Sequence, residues 1–158
     1  GNMFARATWG NFTLSAVFSY SLGNDIFNYQ RSVLEGGKNF YNQTTAMVNR
    51  WRNEGQVTNV PRISYNDEIG NSRFSDRWIE DGSYLRLRSL NLNYKVPVNF
   101  SWLQGLQVWV EANNLFTITK YLGGDPEMSA ANAVLYQGID TGCVALGRAF
   151  TVGLKINL

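Results

Sequence analysis

Apolar and polar residues alternate with a period of two in five separate stretches of this 158-residue chain. Successive side chains of an extended strand point to opposite faces, so each stretch predicts a strand with one apolar and one polar side. The last is the cleanest: Phe150, Val152, Leu154, Ile156 and Leu158 share a face, opposed by Ala149, Thr151, Gly153, Lys155 and Asn157. Before it, Leu106, Val108, Val110, Ala112, Phe116 and Ile118 oppose Gln107, Glu111, Asn113 and Thr117, with Trp109 and Asn114 out of pattern. A strand over about 83–96 changes parity, from Leu85 and Leu87 to Leu90, Leu92 and Tyr94. A bulge near Arg88-Ser89 would restore one continuous face. Phe12, Leu14, Ala16, Phe18 and Tyr20 oppose Thr13, Ser15 and Ser19, and a weaker strand over 2–9 joins them through Gly10-Asn11.

The connections read short, long, short, long: a tight turn at 9–11, an excursion over about 23–82, a turn at 97–105 opened by Pro97, and a loop over about 119–147. Outer-membrane barrels have this layout, with short periplasmic turns and long external loops. Long loops without structure of their own argue against a compact domain. Within the first excursion, Asn42 to Arg52 lacks Gly and Pro and sets Ala46, Met47, Arg50 and Trp51 at helical spacings, which predicts a helix. The rest is rich in Asn, Gly and Asp and reads as irregular. Pattern alone leaves a soluble β-sandwich or a lectin-like, carbohydrate-binding or adhesive β-domain open beside the barrel.

Composition narrows the chemistry. No apolar run exceeds four residues, so neither a transmembrane helix nor a signal peptide is predicted. A mean hydropathy of −0.23 suits alternating strands. Charged residues are 16% of the chain, below the roughly 25% of soluble domains, and a net charge of +2 gives no reason to expect nucleic acid. With no His, a Ser-His-Asp or Cys-His site and a His-based zinc site are impossible. A lone Cys143 allows no internal disulfide and reads as a small loop residue. The carboxylates Asp67-Glu68, Glu80-Asp81 and Asp125/Glu127 read as loop charges, since a glycosidase needs two carboxyls across a sugar ring. Asp125 and Glu127 leave a Ca²⁺ site open, with no geometry to fix it. Gly36-Gly37 and Gly123-Gly124 lack the residues of a phosphate-cradling loop. No catalytic residue, metal or cofactor is assigned, and no enzymatic activity is expected. Gly1-Asn2-Met3 is not a natural-looking start, so Gly1 is read as a tag remnant and the parent chain as extending upstream.

The final residues, Thr151-Val152-Gly153-Leu154-Lys155-Ile156-Asn157-Leu158, run polar, any, Gly, any, any, apolar, any, apolar. This resembles the terminal signal read by the machinery that assembles outer-membrane barrels, carried by Thr151, Gly153, Ile156 and Leu158. Leu158 replaces the aromatic more common there. In a barrel, Tyr94, Phe100 and Trp102 would form a periplasmic aromatic girdle, and Phe116 and Tyr121 would lie near the other interface. In a soluble sheet the same rings would be ordinary core.

One longer stretch carries a more specific resemblance. Arg73-Phe74-Ser75-Asp76-Arg77-Trp78-Ile79-Glu80-Asp81-Gly82-Ser83-Tyr84-Leu85-Arg86-Leu87-Arg88, continued by Leu92-Asn93-Tyr94-Lys95-Val96-Pro97, resembles a hallmark of the SusC/RagA-type TonB-dependent outer-membrane transporters. Val110-Glu111-Ala112-Asn113-Asn114-Leu115-Phe116 through Tyr121, with Gly124-Asp125-Pro126-Glu127, is similar to that family's next hairpin. Gly23-Asn24-Asp25-Ile26-Phe27-Asn28 and Asn49-Arg50-Trp51 also fit. The resemblance implies an all-β fold, with antiparallel up-and-down strands forming the C-terminal part of a large outer-membrane β-barrel of about 22 strands. Residues 1–158 would be that C-terminal portion, with plug and N-terminal strands absent and long extracellular loops containing a short helix. It further implies import of oligosaccharides or peptides beneath a SusD-like surface lipoprotein, driven by the TonB complex through the missing N-terminal region. Candidate contacts to substrate or lid in the external loops are Tyr121, Asp125, Asn132 and Tyr136, because sugars stack on rings and hydrogen-bond to Asp and Asn.

Overall fold

The computed structural model describes residues 1–99, 102–131 and 133–157, so what was expected of Phe100, Asn132 and Leu158 lies outside the described residues. In chain order the elements are β1 (Asn2–Trp9), β2 (Phe12–Ser21), β3 (Asp25–Asn28), α1 (Tyr29–Glu35), β4 (Ile79–Asp81), β5 (Tyr84–Val96), β6 (Gly105–Thr119), β7 (Ile139–Asp140) and β8 (Ala149–Asn157). They divide into two compact units, one over 1–23, 83–120 and 146–158, the other over 24–82 and 121–145. Among the described residues no helix is long and apolar enough to cross a membrane, which says nothing of strands.

The first unit is an antiparallel five-stranded meander in the order β1-β2-β5-β6-β8. Its register makes each face explicit, because directly paired residues share a side. One row runs Ala7–Leu14–Leu92–Val110–Val152, and the next but one runs Trp9–Phe12–Tyr94–Val108–Leu154. The intervening rows are mostly polar: Thr8–Thr13–Asn93–Trp109–Gly153, then Arg6–Ser15–Asn91–Glu111–Thr151. One side is therefore apolar across all five strands. Phe12 and Tyr94 stack on it with ring centroids 4.5 Å apart, near the short turns. Little covers this side: Val110 is 43% exposed and Val152 72%.

The expected bulge is present. Between Leu87 and Ser89 the pairing of β5 with both neighbours slips, so that Phe18 pairs Leu87 while Val17 pairs Ser89. Strand β6 absorbs its own excess at Asn114, whose φ of 53° turns the chain through the left-handed region. Asn114 anchors that turn by donating from Nδ2 to the Gly147 carbonyl, 3.2 Å away. The other outlier, Trp109, stands on the polar side, its ring across Gly153. A Cβ added at Gly153 would collide with that ring.

The second unit is built from the long connections and contains more order than their composition predicted. Strands β4-β3-β7 form a small sheet in which β3 and β7 run parallel. The α-helix lies at Tyr29–Glu35 and not at 42–52, where only a 3₁₀ turn forms at Thr45–Asn49. The signals for α1 are local: the Asn28 side chain caps it by accepting from the Arg31 N–H at 2.9 Å, and Gly36-Gly37 follows its end. Downstream, β-branched Thr44, Thr45 and Val48 disfavour helix. Other segments also claim that backbone, since Thr58 donates to the Asn49 carbonyl at 2.6 Å and Trp51 N–H donates to the Val60 carbonyl at 2.9 Å.

Candidate functional site

The hallmark segment forms the hub of the second unit. Trp78 is completely buried, donates from Nε1 to the Arg73 carbonyl at 3.1 Å, and carries the Arg77 and Arg31 guanidinium groups over its ring at 4.9 and 5.7 Å. Two residues on, Glu80 accepts from three donors. Its Oε1 takes Arg31 Nη1 at 2.9 Å and Asn28 Nδ2 at 3.3 Å, and its Oε2 takes the Leu122 N–H at 3.0 Å. Arg31 also donates from Nε to Glu35 at 2.9 Å, and the other Glu35 oxygen accepts from Thr44 at 2.9 Å. Burial works against the Arg31 charge, but its bonds to Glu80 and Glu35 outweigh that and raise its pKa. Burial, then the nearby Arg31 charge, lowers that of Arg77. Gly82 is required for a different reason: a Cβ there would meet the Ile26 side chain at 2.6 Å. One carboxylate thus ties α1, β4 and the start of the second loop together.

Of the four candidate contact residues, the three among the described residues have different surroundings. Tyr121 is buried and donates its hydroxyl to Asp140 at 2.6 Å, so it packs in the loop core and not at a membrane interface as an aromatic girdle would require. Burial and that bond push its pKa well up, which keeps the hydroxyl a donor. Asp140 is completed by the Gly142 N–H at 2.8 Å. Asp125 is also buried, its Oδ1 accepting from the Glu127 N–H at 3.0 Å as in a local turn. Tyr136 is exposed. Among the described residues no group of three or more metal-ligating side chains assembles.

On the polar side of the large sheet, Glu111 collects neutral donors, with Asn113 Nδ2 at 3.1 Å, Asn91 Nδ2 at 3.2 Å and Ser89 Oγ at 3.5 Å. The residues of the terminal motif take distinct places in β8. Thr151 lies opposite Glu111 on the polar side, Gly153 under Trp109, and Ile156 opposite Leu106 on the apolar side.

No family model matches the sequence. The chain is 36% identical over 155 residues to TonB-dependent receptor P3 of Formosa agariphila, a match covering 93% of this chain and 15% of that receptor. It is 24% identical to TonB-dependent receptor P26 of the same organism, over 95% of this chain and 16% of the relative. Its fold superposes on a chain of the RagAB peptide importer in the open-open state with a TM-score of 0.83 and 26% identity, covering 100% of this chain and 17% of that one. The closed-closed state gives 0.81 over 99%. This chain matches a segment of a SusC/RagA-like TonB-dependent receptor. It spans about 15% of the length of the receptors it resembles. Within the SusC/RagA-like fold, the antiparallel sheet and short helix correspond to part of the importer chain. The matches are to receptors and importers, which supports a non-enzymatic role.

Proposed function

We propose that residues 1–158 form the C-terminal portion of the β-barrel of an outer-membrane TonB-dependent transporter. In this reading the whole protein imports oligosaccharides or peptides together with a SusD-like lipoprotein at its extracellular mouth. The TonB complex acts through the N-terminal region, and Thr151, Gly153, Ile156 and Leu158 present the strand read by the assembly machinery. The observation that carries the reading is the two-sided sheet: an apolar side five strands wide lies open while the opposite side is mostly polar. Water-exposed apolar patches of such extent are rare on soluble monomers, whereas a barrel wall turns one to lipid and its polar side to the lumen. Short turns are then periplasmic and the long connections extracellular. There the exposed Tyr136 is the contact to substrate or lid, a role also proposed for Asn132, while the buried Tyr121 and Asp125 shape the loops.

The test places one arginine on each side of the sheet in the full-length receptor. Val110→Arg, in the middle of the apolar side, costs about 2–4 kcal/mol if that side meets the bilayer midplane. Asn91→Arg, on the polar side next to Glu111, costs little. Membrane-assembled, heat-modifiable protein is the readout. Equal assembly of both variants rejects lipid contact.

A further inference from the structure

Two cavities, of about 310 and 360 Å³, draw part of their lining from the segment 38–41 in the second unit. Lys38, Asn39 and Tyr41 line both, and among the described residues Lys38 is the one charged residue lining either. Phe40 is 93% exposed and its ring meets little besides Tyr65, centroid to centroid 5.1 Å at 31°. An aromatic pair left in water beside a concave surface is the composition of a binding anchor, since such rings supply contact area at low entropic cost. The segment is held in place before any ligand arrives. Gly37, at φ 63°, lets the chain pass against Ile63 and Met47, and the Lys38 carbonyl accepts the Asn66 N–H at 3.0 Å. The side chains of Lys38, Asn39, Gln43 and Tyr65 make no hydrogen bond to any described residue, so their hydrogen-bonding groups face outward to a ligand. Asp67, whose carboxylate feels the Lys38 charge, is itself held by the Ser72 hydroxyl at 2.6 Å.

The geometry points to a docking site for the free carboxyl end of a short peptide. The apolar last side chain enters the slot of Phe40, Tyr65 and Ile63, the carboxylate meets Lys38, and Asn39 and Gln43 pair with the peptide backbone. A peptide is favoured over an oligosaccharide because the cavity beside Phe40 is lined mainly by apolar surface, and because its one charged lining residue among the described residues is a cation, whose neighbour Asp67 is already bonded to Ser72. This rests on the importer reading and names the substrate class for a place in it.

The experiment uses the full-length receptor, purified in detergent. Calorimetry would compare tripeptides ending in Leu, with free or amidated carboxyl termini, against neutral oligosaccharides. The F40S/Y65S double variant is expected to bind the free-acid peptide about tenfold or more weakly. K38Q is expected to erase the preference for the free acid over the amide. Heat-modifiable migration checks that both variants assemble, as exposed positions should. Wild-type affinity in both assembled variants overturns the site, and binding of oligosaccharides without peptides overturns the ligand class. A wild-type receptor that neither binds nor takes up either class would instead sink the importer reading beneath it.

Discussion

Replacing Glu80 by Gln keeps the shape of the hub and removes its charge, which makes the cost of the carboxylate measurable. The acid offers two acceptor oxygens to three donors, Arg31 Nη1, Asn28 Nδ2 and Leu122 N–H. An amide has one acceptor oxygen and one NH₂, so whichever way it turns, a donor faces a donor. If the NH₂ faces Leu122, that backbone N–H is orphaned; if it faces Arg31, a guanidinium loses half its compensation. Hydrogen bonds to charged groups contribute about 1.5–3 kcal/mol, and removing one partner of a buried pair costs about 3–5 kcal/mol. The Arg31 side chain is 25% exposed and keeps Glu35, so the cost falls below the buried-pair range and within that of a charged hydrogen bond, about 2–3 kcal/mol. Local opening of the second unit should then be about 30- to 150-fold more frequent. Hydrogen exchange on the assembled receptor reads this in peptides covering α1 and Leu122. The double variant R31Q/E80Q should be less destabilised than the sum of its singles. Unchanged exchange at both places, or strict additivity, would refute the claim that Glu80 ties the segments together.

Three further outcomes follow from the same structure. Gly153→Val should lose about 1–3 kcal/mol, because its side chain enters the space of the Trp109 ring; thermal unfolding in detergent should show this, with much of the loss recovered in W109A/G153V. Asn114→Val should cost about 1–3 kcal/mol through strain at its positive φ and loss of the Gly147 bond, while Asn114→Gly should lose little but that bond; comparative melting separates the two. Ser72 donates to the Asp67 carboxylate and holds its pKa below the ordinary 3.8 despite the opposing effect of burial. A depressed carboxylate stabilises above its unfolded pKa and loses this as pH falls through the folded value, so exchange protection over 67–72 should be constant from pH 5 to 7 and drop only below about pH 4.

The large sheet was legible because sidedness leaves a mark at every second residue. Even its irregularity was readable, since a parity change from Leu87 to Leu90 has one simple geometric remedy. Trp109 was visible as an exception but not its reason, which lies with Gly153 in the facing strand. The loop unit was not legible in this way. Strands of two to four residues are too short to show a period. The Arg31–Glu80 pair joins residues 49 positions apart, with nothing local to announce it. Freedom from Gly and Pro over 42–52 permits a helix without starting one, whereas the Asn28 cap and the Gly36-Gly37 stop delimit α1. Resemblance marked the stretch from Arg73 to Arg88 as special, and the structure supplies its chemistry: a buried indole, a three-donor carboxylate and a glycine with no room for a side chain.

The slip at Arg88 has a consequence for comparing relatives. The surplus grows across the sheet, from none in β2 to one residue in β5 and two in β6. A homologue that carried a one-residue gap here would have changed phase without turning a single side chain from the apolar side to the polar one. An ungapped alignment through the same place would exchange inside for outside over half the strand. Length differences at this row therefore leave the sidedness of the sheet intact, and the same differences a few residues away invert it.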